Sequence, residues 1–186
     1  MEKLAERIAI YIKEHTDNHP ASVAVLKFGI QGFLSVFITT VVLLVVSVML
    51  GQVYEVFILA ISFGVLRMMI GGAHVKTGWG CTLSSTVMLV GLSYILISPQ
   101  TSYALLVCSL LIVIKFPFYL EPHQSRKSLQ YAHIFKVGTF IWIGFGFLST
   151  YLEMSFSSAF SIGIFAQAFT ITPIGVKAIH QLNRWL

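Results

Sequence analysis

Charge is scarce in this chain: 10% of its 186 residues are Asp, Glu, Lys or Arg, against 56% hydrophobic ones. A soluble domain of that length cannot enclose so much apolar surface, so that class is excluded. With a mean hydropathy of +0.85, the chain reads as an integral membrane protein. Cysteine is scarcer still. Two thiols, Cys81 and Cys108, make no disulfide framework. There is no HExxH pattern and no second His or Cys beside Cys81 to complete the three or four ligands zinc wants, so no metal or other cofactor is expected. The net charge of +5 comes from single cations scattered between apolar runs. They form no continuous basic stripe with interleaved aromatics, which argues against nucleic acid as a partner. The first fifteen residues lack the charged-then-apolar layout of a cleavable signal peptide and are expected to stay on the mature protein. No repeat, low-complexity tract or long linker divides the chain, so residues 1–186 form one membrane domain.

What is present is a series of apolar runs near the roughly 20 residues a helix needs to cross a bilayer. They predict an all-α polytopic protein with six spans, at about 28–50, 53–70, 82–98, 101–120, 132–152 and 154–176. The second is the weakest, with Glu55 and Arg67 near its ends. Gly51-Gln52, the stretch Ser98 to Ser102, and Glu153 mark turns between spans. Leu4, Ile8, Tyr11 and Ile12 share one face of a charged segment, which predicts an amphipathic interfacial helix within 1–20, ended by Asp17-Asn18-His19-Pro20. If the N-terminus lies inside, all twelve Lys and Arg fall on the inner side, as cytoplasmic segments demand. The expected location is the cell membrane, multi-pass, with both termini cytoplasmic. A four-span arrangement with two apolar stretches in the interface would also keep both termini inside.

The chemistry concentrates in Arg67-x3-Gly71-Gly72-Ala73-His74-x6-Cys81, at the inner edge between the second and third spans. Polar residues there cost insertion free energy unless something compensates. Thr77-Gly78-Trp79-Gly80 interrupts the helix, which puts Cys81 in the first turn of the next one. Unpaired backbone N–H groups at such a terminus favour an anion and can hold the oxyanion of a tetrahedral intermediate. Along a continuous helix His74 would lie roughly 10 Å from Cys81, so the glycines on both sides of His74 must let the chain fold back for the two to share a proton. Two readings fit the spacing: a Cys/His catalyst, or a glycine-rich structural turn with a packing thiol.

The segment Gly72-Ala73-His74-x6-Cys81, with Arg67 seven residues ahead of the histidine, resembles the signature of the AgrB (accessory gene regulator B) family. Chain length, the apolar spans and the basic inner loop agree. The resemblance implies a membrane cysteine endopeptidase that trims an AgrD-like precursor peptide in quorum sensing. In it Cys81 is the nucleophile, His74 the general base, and Arg67 and Gly72 supporting residues. It also implies a homodimer among the membrane lipids, and an acidic precursor tail that Lys115, Arg126, Lys127 and Lys136 would hold. Arg67, Lys115 and Lys136 either line a shared inner cavity for that tail or snorkel to lipid phosphates. Where the family often has a Pro-rich stretch running into Lys-Pro, this chain reads Tyr119-Leu120-Glu121-Pro122-His123-Gln124-Ser125-Arg126-Lys127-Ser128 and lacks the second proline. Ring closure on a precursor thiol would give a thiolactone, on a serine a lactone. A small peptide exporter without proteolytic activity and a membrane scaffold are the alternatives.

Overall fold

The computed structural model describes residues 2–16, 21–72, 75, 78–116 and 132–185. Among them are eight helices and no extended strand. They are α1 (Glu2–His15), α2 (Val23–Met49), α3 (Val53–Ile70), α4 (Gly78–Ser93), α5 (Pro99–Lys115), α6 (Ala132–Tyr151), α7 (Ser157–Thr170) and α8 (Pro173–Trp185).

The breaks fall where small, polar or β-breaking residues allow them. Gly51, at φ 68°, turns α2 into α3. Ser98 caps α5, its hydroxyl accepting from the Thr101 N–H at 3.3 Å with Pro99 opening the helix. Glu153, at φ 50°, turns α6 into α7. Four expected spans have other bounds: 28–50 is Val23–Met49, 82–98 is a 16-residue helix that starts at Gly78 and ends at Ser93, the helix in 101–120 runs from Pro99 to Lys115, and 154–176 is two helices bent by 77° at the break before Pro173. The bend has a local cause, since Pro173 has no N–H to continue the α7 ladder and disfavours a helical Thr172. Among the described residues three helices, α2, α3 and α6, are long and apolar enough to cross a membrane, and the bent pair α7–α8 makes a fourth if taken as one span.

Helix α3 is the hub. It packs most extensively on α7, which in turn packs on α5, while α2 pairs with α4 and α6 with α5 and α3. One apolar core joins Leu66, Ile70, Leu106, Val113, Ile143, Phe160 and Ile164, and a second joins Leu43, Val56, Leu59, Phe63, Leu89 and Ile162. The α3–α7 contact is close because Gly163 has no side chain: a Cβ there would collide with the Ser62 hydroxyl and sit 2.9 Å from the Leu59 carbonyl. Several buried hydroxyls are satisfied within their own helices, as when Ser62 donates to the Leu59 carbonyl at 3.0 Å and Ser109 to that of Leu105 at 2.7 Å. Outward-facing Phe28, Phe33, Val36 and Met49 on α2 are exposed in a band that suits lipid.

Amphipathic α1 lies along α2, but the face it turns to the protein is Ala5 and Ala9, both fully buried, while Leu4 and Tyr11 of the expected apolar face stay exposed. Small residues allow the close approach, and a Lys27–Glu6 ion pair at 3.0 Å ties the two helices.

Candidate functional site

Helix α3 ends at Ile70, and its last turn carries Arg67. Gly71 follows at φ 74° and Gly72 at φ 157°, backbone that favours glycine. Helix α4 begins at Gly78, so Gly78, Trp79 and Gly80, expected to interrupt the helix, are instead its first three residues, and Cys81 is the fourth. The thiol is half-buried and not part of a disulfide. Ser84 donates to the Cys81 carbonyl at 3.2 Å, and Thr82, hydrogen-bonded to Thr39 at 2.9 Å, pins this end of α4 to α2.

Cys81 and Arg67 line one cavity of about 330 Å³. Its walls come from α3 (Phe63), α4 (Ser84, Ser85, Met88), the end of α7 (Phe169, Thr170) and the C-terminal helix α8, which contributes Gly175, Ala178, Ile179 and Leu182. The spacing of that last set, i, i+3, i+4 and i+7, places all four on one face of α8. A largely apolar chamber with a thiol and a guanidinium in its wall can take a peptide segment, expose one carbonyl to sulfur and limit competing water.

Gly72 is buried against the arginine. A Cβ there would lie 3.1 Å from Arg67 Nη1 and 3.3 Å from both Gln167 Nε2 and Thr170 Oγ1. Arg67 also stacks over Phe63, 5.8 Å from the ring centre. The sequence reading missed Gln167, a fully buried amide on α7. Its Nε2 donates to the Gly71 carbonyl at 2.7 Å and its Oε1 accepts from Arg67 Nη1 at 3.5 Å. The available signal was a lone amide near the end of an apolar helix, a placement that costs free energy unless it is partnered. The α8 wall was also missed; Thr172-Pro173 and the recurrence of Gly175, Ala178, Ile179 and Leu182 were its signals.

His74 lies outside the described residues, as do Arg126, Lys127 and the departing stretch Tyr119 to Ser128. Lys115 is exposed at the end of α5, its ammonium 5.6 Å from the Phe116 ring centre, and Lys136 is exposed on α6. Neither lines the cavity. Cys108 is exposed on the outer face of α5, as a lipid-facing thiol would be.

An all-helical membrane protein with a half-buried thiol and an arginine facing one chamber is the class that fold and site define. The sequence model of the family described as accessory gene regulator B matches residues 5–171, and the chain belongs to that family. Membership assigns it a role in quorum sensing. It is 29% identical over 187 residues to a putative AgrB-like protein of Halalkalibacterium halodurans, covering all of this chain and 94% of that one. It is 26% identical over 161 residues to protein FsrB of Enterococcus faecalis, covering 83% of this chain and 66% of FsrB. A putative AgrB-like protein of Clostridium acetobutylicum is 31% identical over 90 residues, 48% of this chain and 43% of that protein. No solved structure matches the chain.

Proposed function

We propose that this protein is a membrane-embedded cysteine endopeptidase that removes the C-terminal tail of an AgrD-like precursor and closes the remaining peptide into a thiolactone, or a lactone where the precursor presents a serine. The observation that carries the reading is the shared cavity: a half-buried Cys81 in the N-terminal turns of α4, facing a mostly apolar chamber that Arg67 also lines.

In this reading His74 takes the Cys81 proton and the thiolate sulfur bonds to a precursor carbonyl carbon. The oxyanion is held by N–H groups at the start of α4. The tetrahedral intermediate collapses as the C–N bond breaks, His74 returning the proton to the departing amine of the tail. A thiol of the bound peptide then attacks the acyl-enzyme thioester and releases Cys81. One thioester replaces another, so closure needs no ATP. The tethered thiol outcompetes water through its high effective concentration and the apolar walls. Arg67 and Gly72 support the site, and Lys115, Arg126, Lys127 and Lys136 receive the acidic tail at the inner surface. The protein works as a homodimer with six spans and both termini cytoplasmic, which crosslinking and cysteine labelling in oriented vesicles measure.

The test is reconstitution in liposomes with a precursor peptide. Wild type is expected to release the tail, and Cys81→Ala and His74→Ala to release none. Unaltered cleavage by Cys81→Ala removes the proposed nucleophile, and passage of intact peptide across the bilayer would instead mark an exporter. Unchanged tail release by Lys136→Glu at normal protein level would take Lys136 out of tail binding.

A further inference from the structure

Resting on that reading, we infer that Gln167 is a positioning residue that sets the Arg67 guanidinium in the wall of the Cys81 chamber. Gln167 is the largest polar side chain fully buried among the described residues. An amide in that setting must use both ends, and here one end meets Gly71, just past α3, and the other meets Arg67 in the last turn of α3. The NH2 end donates to the Gly71 carbonyl at 2.7 Å, which fixes which way the amide faces and leaves Oε1 toward Arg67 Nη1 at 3.5 Å. The bare Cα of Gly72 keeps that space open, since a Cβ would press on both groups at 3.1 and 3.3 Å. Thr170, whose hydroxyl donates to the Gln167 carbonyl at 2.8 Å, closes the same corner and also lines the cavity. One buried amide thereby joins the end of α3, the start of the following segment and the end of α7, 96 and 100 residues apart in the chain.

Positioning and simple packing predict opposite orders for two substitutions. If Gln167 only fills space, Gln167→Met, apolar and of similar length, is harmless, and Gln167→Glu, which buries a carboxylate, is the damaging one. Both variants lose the Nε2 donor to the Gly71 carbonyl, so the difference between them reports the Arg67 contact: if Gln167 positions Arg67, Gln167→Glu keeps the acceptor and turns it into an ion pair, whereas Gln167→Met removes it.

The experiment measures tail release by full-length Gln167→Met and Gln167→Glu in liposomes, with kcat and KM separated. A second reading follows phenylglyoxal modification of Arg67 by mass spectrometry, with no substrate present. The expected result is a kcat about tenfold or more below wild type for the Met variant with KM little changed, and recovery of most of that loss by the Glu variant. Arg67 modification should run fastest in Met and slowest in Glu. Arg67 modification no slower in Glu than in Met, or equal modification rates in all three proteins, overturns the inference. If wild type fails to cleave, the endopeptidase reading falls, and the modification rates still decide whether Gln167 holds Arg67.

Discussion

The two terminal helices share a pattern and differ in what they do with it. Both α1 and α8 are short and amphipathic, and periodicity alone assigns each to the membrane surface. Helix α1 buries its small residues, Ala5 and Ala9, against α2 and leaves Leu4 and Tyr11 exposed. Helix α8 does the reverse: Ile179 and Leu182 face inward over the Cys81 chamber while Lys177 and His180 are exposed. The first is tied down along its length, and the second has α7 as its main packing partner and spans a hollow. Amphipathic period reports that a helix has two faces; the connection before it decides which face meets protein. Here that connection is the 77° bend at Pro173.

The largest effect should come from breaking the bend. A Cβ on Gly175 would collide with the Phe169 carbonyl and lie 2.9 Å from Thr170 Cα, backbone that cannot yield as a side chain can. Gly175→Ala is expected to lower stability by about 3 kcal/mol or swing α8 off the cavity, read as an earlier midpoint in SDS unfolding and lost tail release. Wild-type values for both would show that α8 is not seated as described. Next in size is Leu182→Arg. Leu182 lines the Cys81 cavity and a second hollow against Leu83 and Val87 of α4, so a cation there must be desolvated or must push α8 away. Tail release should fall roughly a hundredfold, while the fold, judged by SDS unfolding, shifts little.

Much of this layout is legible in the sequence, and what is not has a physical reason. The turns at Gly51-Gln52, Ser98 and Glu153 show because charge or helix-breaking residues interrupt apolar runs there. The bend at Pro173 is masked because hydropathy continues through Ile171, Ile174 and Val176, so a window averaged over a span length passes across it. The place of Cys81 near the start of α4 is readable in outline, but Gly78 and Gly80, expected to break the helix, lie inside it, because a helix N-terminus tolerates glycine. Gln167 as a partner of Arg67 is not, since no local period connects residues 100 apart. The choice of Ala5 and Ala9 over Leu4 and Tyr11 as the packed face of α1 likewise depends on α2, where only small residues fit the close approach.

Smaller effects should come from the α1 side, where the contact is peripheral to the cavity. Ala9→Leu adds bulk at a fully buried position between α1 and α2 and should cost about 1–3 kcal/mol of local docking. The measurement is faster trypsin cleavage at Lys3, Arg7 or Lys13, with the alkylation rate of Cys81 at its wild-type value. A matching rise in Cys81 alkylation would mean that the two terminal helices are coupled, and the contrast between them would fail.

The smallest effect is expected at the Lys27–Glu6 pair. Its atoms are 3.0 Å apart, but the side chains are 27% and 50% exposed, and partly solvated pairs contribute about 0.2–1 kcal/mol because water and salt screen them. Glu6→Gln should therefore raise trypsin cleavage of α1 only slightly, and the difference from wild type should shrink as salt is raised. The buried alanines, not the ion pair, would then be what holds α1. If Glu6→Gln frees α1 as fully as Ala9→Leu does, the pair is shielded from solvent by lipid, and the attraction across it is stronger than an aqueous surface allows.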